Sequence, residues 1–399
     1  MGSCEAMTTS EYRNLSVWDF HNPVRIYFGA GQIDRLAEIV GKKRTLILTT
    51  PGFTRRGLTA RLMELLGSSV AELVDTVKSL PELDDLERLG HRLRDKRIDL
   101  IVAVGGGSVI DTAKVVSVLI GKESSDQFSL RRHFSNGSHE LHGTAVPVVA
   151  VPTTAGTGSE VTPFATVWDM NSKEKFSLSG PRLFPQVAIL DPNLTLSLTR
   201  DTTVHTGLDA VSQALEAIWN RNANPITTLL ATDALRLGLT TLPQLAGNLE
   251  SLELRTAMMQ ASLFAGLAIS RTRTALAHSI SYPLTAYFGM PHGLACGFAL
   301  PAILRKNCEA DGGRFEHLAK SLGLQSVPEL YQTLTKFLQD LRVPEMVNQY
   351  LRETGMSYMI AELAPQMLSS ERSRNNLVTL TVDQIRDILE EALSSMNIR

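Results

Sequence analysis

The sequence predicts two unlike halves that meet near Asp191-Pro192: an α/β domain over residues 1–191 and an all-helical domain over residues 192–399. Three observations carry this expectation. Strand-like and helix-like runs alternate through the first half, the pattern of a mostly parallel sheet. Two glycine-rich turns, within 105–107 and 151–160, directly follow strand-like runs. From about residue 193, strand-like runs nearly vanish, and Leu, Ala, Met and Thr recur at helical spacing. A chain of 399 residues is also longer than one core usually serves.

In order, residues 1–22 read as a polar lead-in. Residues 24–28 alternate like a strand and stop at Gly29. A helix is expected over 33–40 with Gly41 as its stop, then a strand over 45–50 ending at Pro51 and Gly52. A helix over 58–66, a strand over 70–74 and a helix over 83–94 follow. Asp-Leu-Ile-Val-Ala-Val at 99–104 reads as a buried strand, running into three glycines and a helix over 109–119. A polar loop is expected over 123–142, then strands over 146–151 and 187–191. In the second half, helices are expected over 229–237, 252–267, 327–341 and 382–393. No internal repeat or low-complexity tract is apparent.

Composition excludes several classes. Hydrophobic content of 43% and charged content of 20% are those of an ordinary soluble globule. A net charge of −2 without a long basic run points away from nucleic acid. The N-terminus has no basic region followed by an apolar one, and no apolar run reaches the ~18 residues of a membrane span. Cys4, Cys296 and Cys308 cannot all pair and show no zinc spacing, which fits a reducing cytoplasm.

Chemistry concentrates in a few stretches. His278 and His292 share one short segment of apolar and small residues. Upstream, Asp209 falls on an apolar helix, where a carboxylate is costly to bury without a cation or hydrogen-bond partner. Together the three would make a carboxylate and two-imidazole site suited to Fe(II) or Zn(II). The alternative is two core histidines bonded to backbone carbonyls. At Gly105-Gly106-Gly107-Ser108, a strand passes into a helix whose N-terminal amides favour phosphate. Thr153-Thr154-Ala155-Gly156-Thr157-Gly158-Ser159 is a second such turn with hydroxyls able to bond phosphate or ribose. Two such turns at strand ends would place a ligand in the crevice where open α/β sheets bind ligands; two unrelated tight turns are the alternative.

These segments, with Pro23 to Gly31, Phe184 to Pro192 and Pro291-His292-Gly293, resemble the iron-containing (group III) alcohol dehydrogenase family over nearly the whole chain. The resemblance implies a Rossmann-like N-terminal domain, an all-α C-terminal domain and an NAD(P)-dependent alcohol or aldehyde oxidoreductase with a divalent metal in the cleft. It implies Asp209, His278 and His292 as metal ligands. It further implies Gly105, Gly106, Gly107, Ser108, Asp111, Thr153, Thr154, Gly158, Ser159 and Lys175 as cofactor contacts. The metal would polarise an aldehyde oxygen while hydride moves from the nicotinamide. Dimers and larger assemblies are the family habit.

Four departures refine that expectation. The family's fourth ligand, a histidine, is here Gln213, four residues after Asp209 and on the same helical face. A second family histidine is here Tyr282, a candidate for relaying a proton. Thr50, followed by Arg55 and Arg56, replaces the aspartate that holds the ribose 2′-OH in many NAD-preferring relatives, so NADPH should be accepted. Arg271 and Arg273 precede His278, and on a continuous helix Arg271 would share its face, suggesting an anionic substrate. The run from Ser279 to Gly293 also resembles the phosphonoacetaldehyde reductase branch of the family, which makes 2-hydroxyethylphosphonate. Two rival readings share the architecture: a dehydroquinate synthase-like lyase, and a cofactor-binding protein whose metal site is degenerate at Gln213.

Overall fold

The first half is built around four strands buried along their whole length. The computed structural model describes residues 17–121, 129–136, 144–310, 312–354, 360–368 and 371–396. Its strands are β1 (Arg25–Phe28), β2 (Thr45–Leu48), β3 (Val70–Val74), β4 (Leu100–Gly105), β5 (Val148–Pro152), β6 (Phe164–Asp169), β7 (Glu174–Ser179) and β8 (Val187–Leu190). Six of them form one all-parallel sheet in the order β1-β8-β5-β4-β2-β3. Strands β2, β4, β5 and β8 are buried throughout, which is why they read as continuous apolar runs. The pleat sorts their side chains to two faces. Leu46, Leu48, Ile101 and Ala103 pack on one side with Ile110 and Val116, while Ile47, Val102 and Val104 pack on the other with Ile33 and Phe53.

Strands β6 and β7 form a separate antiparallel hairpin that the sequence pattern did not announce. Its second strand, Glu-Lys-Phe-Ser-Leu-Ser, is half polar and weak in strand propensity. Tertiary contacts hold it: the Trp168 N–H donates to the Pro81 carbonyl at 2.8 Å, and the Thr166 N–H donates to Asp111 Oδ2 at 2.8 Å.

The second half is helical. Helix α1 (Gly107–Leu119) belongs to the sheet; α2 (Arg200–Ile218), α3 (Pro225–Gly247), α4 (Leu252–Thr272), α5 (Leu276–Phe288) and α6 (His292–Gly297) surround the site. Thr199, Asn224 and Ser251 cap α2, α3 and α4 with their side-chain oxygens. Helix α2 is buried without interruption from Gly207 to Ile218, about three turns, and Leu208, Val211 and Leu215 join residues of α3 and α4 in one core. Val327–Asp340 and Val382–Ser395 are helices as expected. The expected helices at 229–237 and 252–267 are longer in the structure.

Two expectations are corrected here. Within the loop expected at 123–142, Leu130–Ser135 is a helix; the rest of that loop, like Cys4, lies largely outside the described residues. The continuous helix on which Arg271 and His278 would share a face is not formed, since α4 ends at Thr272. Arg273 takes a left-handed φ of 62°, and a new helix starts at Leu276. Among the described residues, no helix is long and apolar enough to cross a membrane.

Candidate metal and cofactor site

Helix α2 presents Asp209, Gln213 and Glu216 on one face, at i, i+4 and i+7, all of them buried. Helix α5 brings in His278 near its start, and α6 brings in His292 at its first residue. The approach of α6 to α2 depends on Gly293. A Cβ there would stand 1.8 Å from the His205 carbonyl oxygen and 3.1 Å from Asp209 Cβ. Asp209 Oδ1 lies 3.3 Å from His278 Nε2 and 4.0 Å from His292 Nε2. The imidazole centroids are 5.1 Å apart at 73°. Cys296, one turn after His292, places Sγ 3.8 Å from both nitrogens of that ring. Donor atoms of Asp209, His278, His292 and Cys296 all lie within 4.8 Å of one another. His205 stands outside this group.

Asp209 Oδ1, within this group, has no hydrogen-bond partner although buried, and neither has Gln213 Oε1 one turn along the same helix. The 3.3 Å contact to His278 lacks hydrogen-bond alignment. An unpaired buried carboxylate oxygen is expensive, and a bound cation would relieve it. A carboxylate, two imidazoles, an amide oxygen and a thiol are donors that Fe(II) or Zn(II) accepts, so the residues fit such an ion.

Glu216, fully buried, orients His278. Its Oε2 lies 2.6 Å from His278 Nδ1, and its Oε1 accepts the His278 backbone N–H at 3.1 Å. With the Nδ1–H bonded to Glu216, Nε2 is the ring nitrogen that faces Asp209 and the one a cation would take in exchange for its proton. Burial opposes the imidazolium of His278, but Cys296, Glu216 and Asp209 outweigh it and hold its pKa well above the ordinary histidine value. His292 moves the other way, down to about 3, through burial first and the Lys175 charge second. Asp209 stays below the usual carboxylate value despite burial, because His278 and His292 favour its anion.

The two glycine turns are adjacent. The Thr153 N–H donates to the Gly105 carbonyl at 3.0 Å, and Gly105 pairs with Pro152 in the sheet. Gly105, Gly106, Gly107 and Ser108 thus sit where β4 passes into α1, beside Thr153, Thr154, Gly158 and Ser159. Gly158 has φ +61°, and a Cβ on it would stand 2.4 Å from Gly266 Cα of α4, so glycine is required on both counts. Gln213 Nε2 donates to the Thr157 carbonyl at 3.2 Å, tying the second turn to the helix that carries Asp209.

Asp111 and Ser159 face inward. Ser159 Oγ donates to Asp111 Oδ1 at 2.5 Å and lies 3.0 Å from Lys114 Nζ. Lys114 is fully buried and also donates to the Thr162 and Phe164 carbonyls, bracing the turn against the hairpin. Ser108 Oγ donates to the Ser79 carbonyl. Thr50 caps the short helix Pro51–Arg55, accepting from the Phe53 N–H at 3.4 Å.

Arg271 and Arg273 are not where the sequence suggested. Arg271 pairs with Asp19 at 2.6 Å near the surface, and Arg273 is exposed with Glu371 at 3.9 Å as its nearest carboxylate. The helix break at Arg273 is the cause, since Arg271 and His278 no longer share a helix axis. Different cations flank the site. Lys175 Nζ sits 3.7 Å from the Tyr282 ring centroid, and Arg372 Nε donates to Tyr282 Oη. Arg372 Nη2 donates to Ser177 Oγ at 3.0 Å. The Tyr282 ring in turn stacks on His292, centroids 6.2 Å apart at 15°.

Sequence reasoning overlooked Cys296, Glu216 and Arg372. Helical spacing from His292 and Asp209 was the available signal for the first two. Arg372, 90 residues beyond Tyr282, carried none.

Comparison with known proteins agrees with this geometry. The family model described as "Iron-containing alcohol dehydrogenase" matches residues 23–192. Its counterpart, "Fe-containing alcohol dehydrogenase family, C-terminal", matches 203–393. A phosphonoacetaldehyde reductase from Streptomyces viridochromogenes is 37% identical over 281 residues, covering 70% of this chain and 68% of that protein. The crystal structure of a sulfoacetaldehyde reductase from Bifidobacterium kashiwanohense in complex with NAD+ superposes with a TM-score of 0.86 at 29% identity, covering 95% of this chain and 99% of that one. An iron-containing alcohol dehydrogenase from Thermococcus thioreducens gives a TM-score of 0.84 at 26% identity, covering 94% and 100%.

Proposed function

The chain belongs to the iron-containing alcohol dehydrogenase family, an oxidoreductase that uses NAD(P) and a divalent metal, and from that premise we propose that it reduces a small anionic aldehyde with NAD(P)H. Phosphonoacetaldehyde, giving 2-hydroxyethylphosphonate, is the substrate we favour. The single observation behind the chemistry is the buried, unpartnered Asp209 Oδ1 facing two imidazoles. The substrate class is supported by similarity to a phosphonoacetaldehyde reductase and a sulfoacetaldehyde reductase, names that denote short aldehydes bearing an acidic group. The relatives are dehydrogenases and reductases, which favours net redox turnover over a lyase or a degenerate site.

Asp209, His278 and His292, with Gln213 or Cys296 as a further donor, would hold the metal. When bound, the metal supplies a Lewis acid for the carbonyl oxygen and the reduced nicotinamide supplies hydride. The chain's own residues do the placing. Gly105 to Ser108 and Thr153 to Ser159 offer backbone amides and hydroxyls to the dinucleotide, with the α1 N-terminus favouring its phosphates. The Gln213 to Thr157 bond sets the distance between those turns and α2. Glu216 fixes the His278 ring. Tyr282 Oη accepts from Arg372, which leaves its own proton available for the product oxygen.

Thr50, Arg55 and Arg56 would receive a 2′-phosphate, so NADPH is accepted. We place the boundary between dinucleotide and metal domains at residues 191–192, and the enzyme in the cytoplasm as a homodimer or larger assembly. A kcat/KM panel of phosphonoacetaldehyde against neutral aldehydes of similar size, on metal-loaded protein with NADPH, tests the reading. Preference for the anionic aldehyde is expected; preference for the neutral ones contradicts it.

A further inference from the structure

Among the described residues, two cations stand beside the proposed metal cluster with no carboxylate at ion-pair distance. Arg372 directs two of its five N–H donors at neutral hydroxyls, those of Tyr282 and Ser177, and keeps three. Lys175 lies over the Tyr282 ring. Among the described residues, neither side chain has a carboxylate within the 4.0 Å of an ion pair. Both come from elements outside the helices that carry the metal donors: Lys175 and Ser177 from β7, Arg372 from the turn Glu371–Asn375. The Tyr282 ring that they share stacks on His292, and both charges act on that imidazole, so the pair stands beside the metal donors.

Charge decides what this arrangement is for. Two half-buried like charges repel and are costly to desolvate, and a carboxylate would be the usual remedy. The one acid of the cluster nearby, Asp209, already faces His278 and His292. A divalent cation there would make the surroundings more positive still. What remains missing among the described residues is an anion, and a bound ligand would supply it. We propose that Arg372, with Lys175 beside it, receives the acidic group of the substrate and so selects phosphonate- or sulfonate-bearing aldehydes. A planar guanidinium offers two parallel N–H bonds to such a group, and the ammonium adds a point charge. The hairpin β6–β7 then has a purpose beyond covering the sheet: it carries half of the receptor to the mouth of the metal site. This inference rests on the substrate class proposed above.

The test is a comparison of Arg372→Ala and Arg372→Gln with wild type on metal-loaded protein, after thermal melts have identified which variants fold. Three quantities are read: KM for phosphonoacetaldehyde, KM for propanal, and Kd for NADPH. Ethylphosphonate, which cannot be reduced, reports anion binding as an inhibition constant. Loss of Arg372 should raise KM for phosphonoacetaldehyde and the ethylphosphonate inhibition constant by about 10- to 100-fold without a matching rise in KM for propanal or Kd for NADPH, any loss of kcat through Tyr282 being shared by both aldehydes. A higher Kd for NADPH alone would assign the cation to the cofactor and overturn the inference. Equal losses for both aldehydes would reduce Arg372 to a support for Tyr282. Wild type that favours phosphonoacetaldehyde while the variants keep that preference sinks this inference but spares the proposed function. Wild type that shows no such preference removes both.

Discussion

Glu216 Oε2 lies 2.6 Å from His278 Nδ1. A buried carboxylate on that nitrogen fixes the ring and the tautomer, leaving Nε2 for a cation. Glu216→Gln preserves the shape but exchanges the strong acceptor for an amide. Metal affinity, measured by chelator competition, should fall by about 10- to 100-fold with the fold retained. An unchanged affinity would make Glu216 a core residue only.

Gln213 supplies the least typical donor of the set. Imidazole binds Fe(II) and Zn(II) better than an amide oxygen does. Gln213→His should therefore tighten metal binding, on the order of 10-fold, in the same competition assay. It should also loosen the second glycine turn, because the bond to the Thr157 carbonyl is lost. If affinity does not move, Gln213 does not face the metal, and Cys296→Ala becomes the decisive variant.

Around Gly52, two guanidinium groups converge. A Cβ built there would lie 3.5 Å from Arg56 Nη1, 3.8 Å from Arg55 Nη2 and 3.8 Å from Thr50 Oγ1. Both arginines are exposed at the C-terminal end of β2, where a dinucleotide ribose is expected. Replacing both with Ala should raise KM for NADPH on the order of 10-fold while sparing NADH. Equal effects on the two cofactors would show that no 2′-phosphate is held there.

Glu160 follows the second turn and is buried, with its pKa raised from 4.5 to about 7, chiefly by burial. Between those values the folded chain keeps a proton that the unfolded chain has released. The resulting stability is complete below pH 4.5 and is lost as pH rises through about 7. The loss is on the order of a few kcal/mol. Glu160→Gln should remove this contribution, read from denaturant melts as the difference between variant and wild type, because His292, held down to about 3, titrates across much of the same interval with the opposite sign. Lys114, held down to about 8 by burial, acts at higher pH.

The sheet was legible because its central strands are buried on both faces and read as apolar runs between glycine turns. The hairpin β6–β7 was not, because its second strand is half polar and the pair is held by Lys114, Asp111 and Pro81. The break at Arg273 was hidden for another reason. Residues 268–278 contain neither Gly nor Pro, and a left-handed arginine has no local signature. That break misplaced the expected anion-binding arginines. Within the site, Asp209, His278 and His292 were legible because buried imidazoles and a carboxylate stand out in apolar sequence. Cys296 was passed over because three cysteines without zinc spacing look inert, although its i+4 relation to His292 was visible.

Elemental analysis of the purified protein and of Asp209→Asn, after identical anaerobic loading with Fe(II) or Zn(II), probes the central arrangement most directly. The geometry around Asp209 predicts stoichiometric metal in the wild type and little or none in the variant, with both proteins folded. Equal metal content in the two, or none in either, would contradict it.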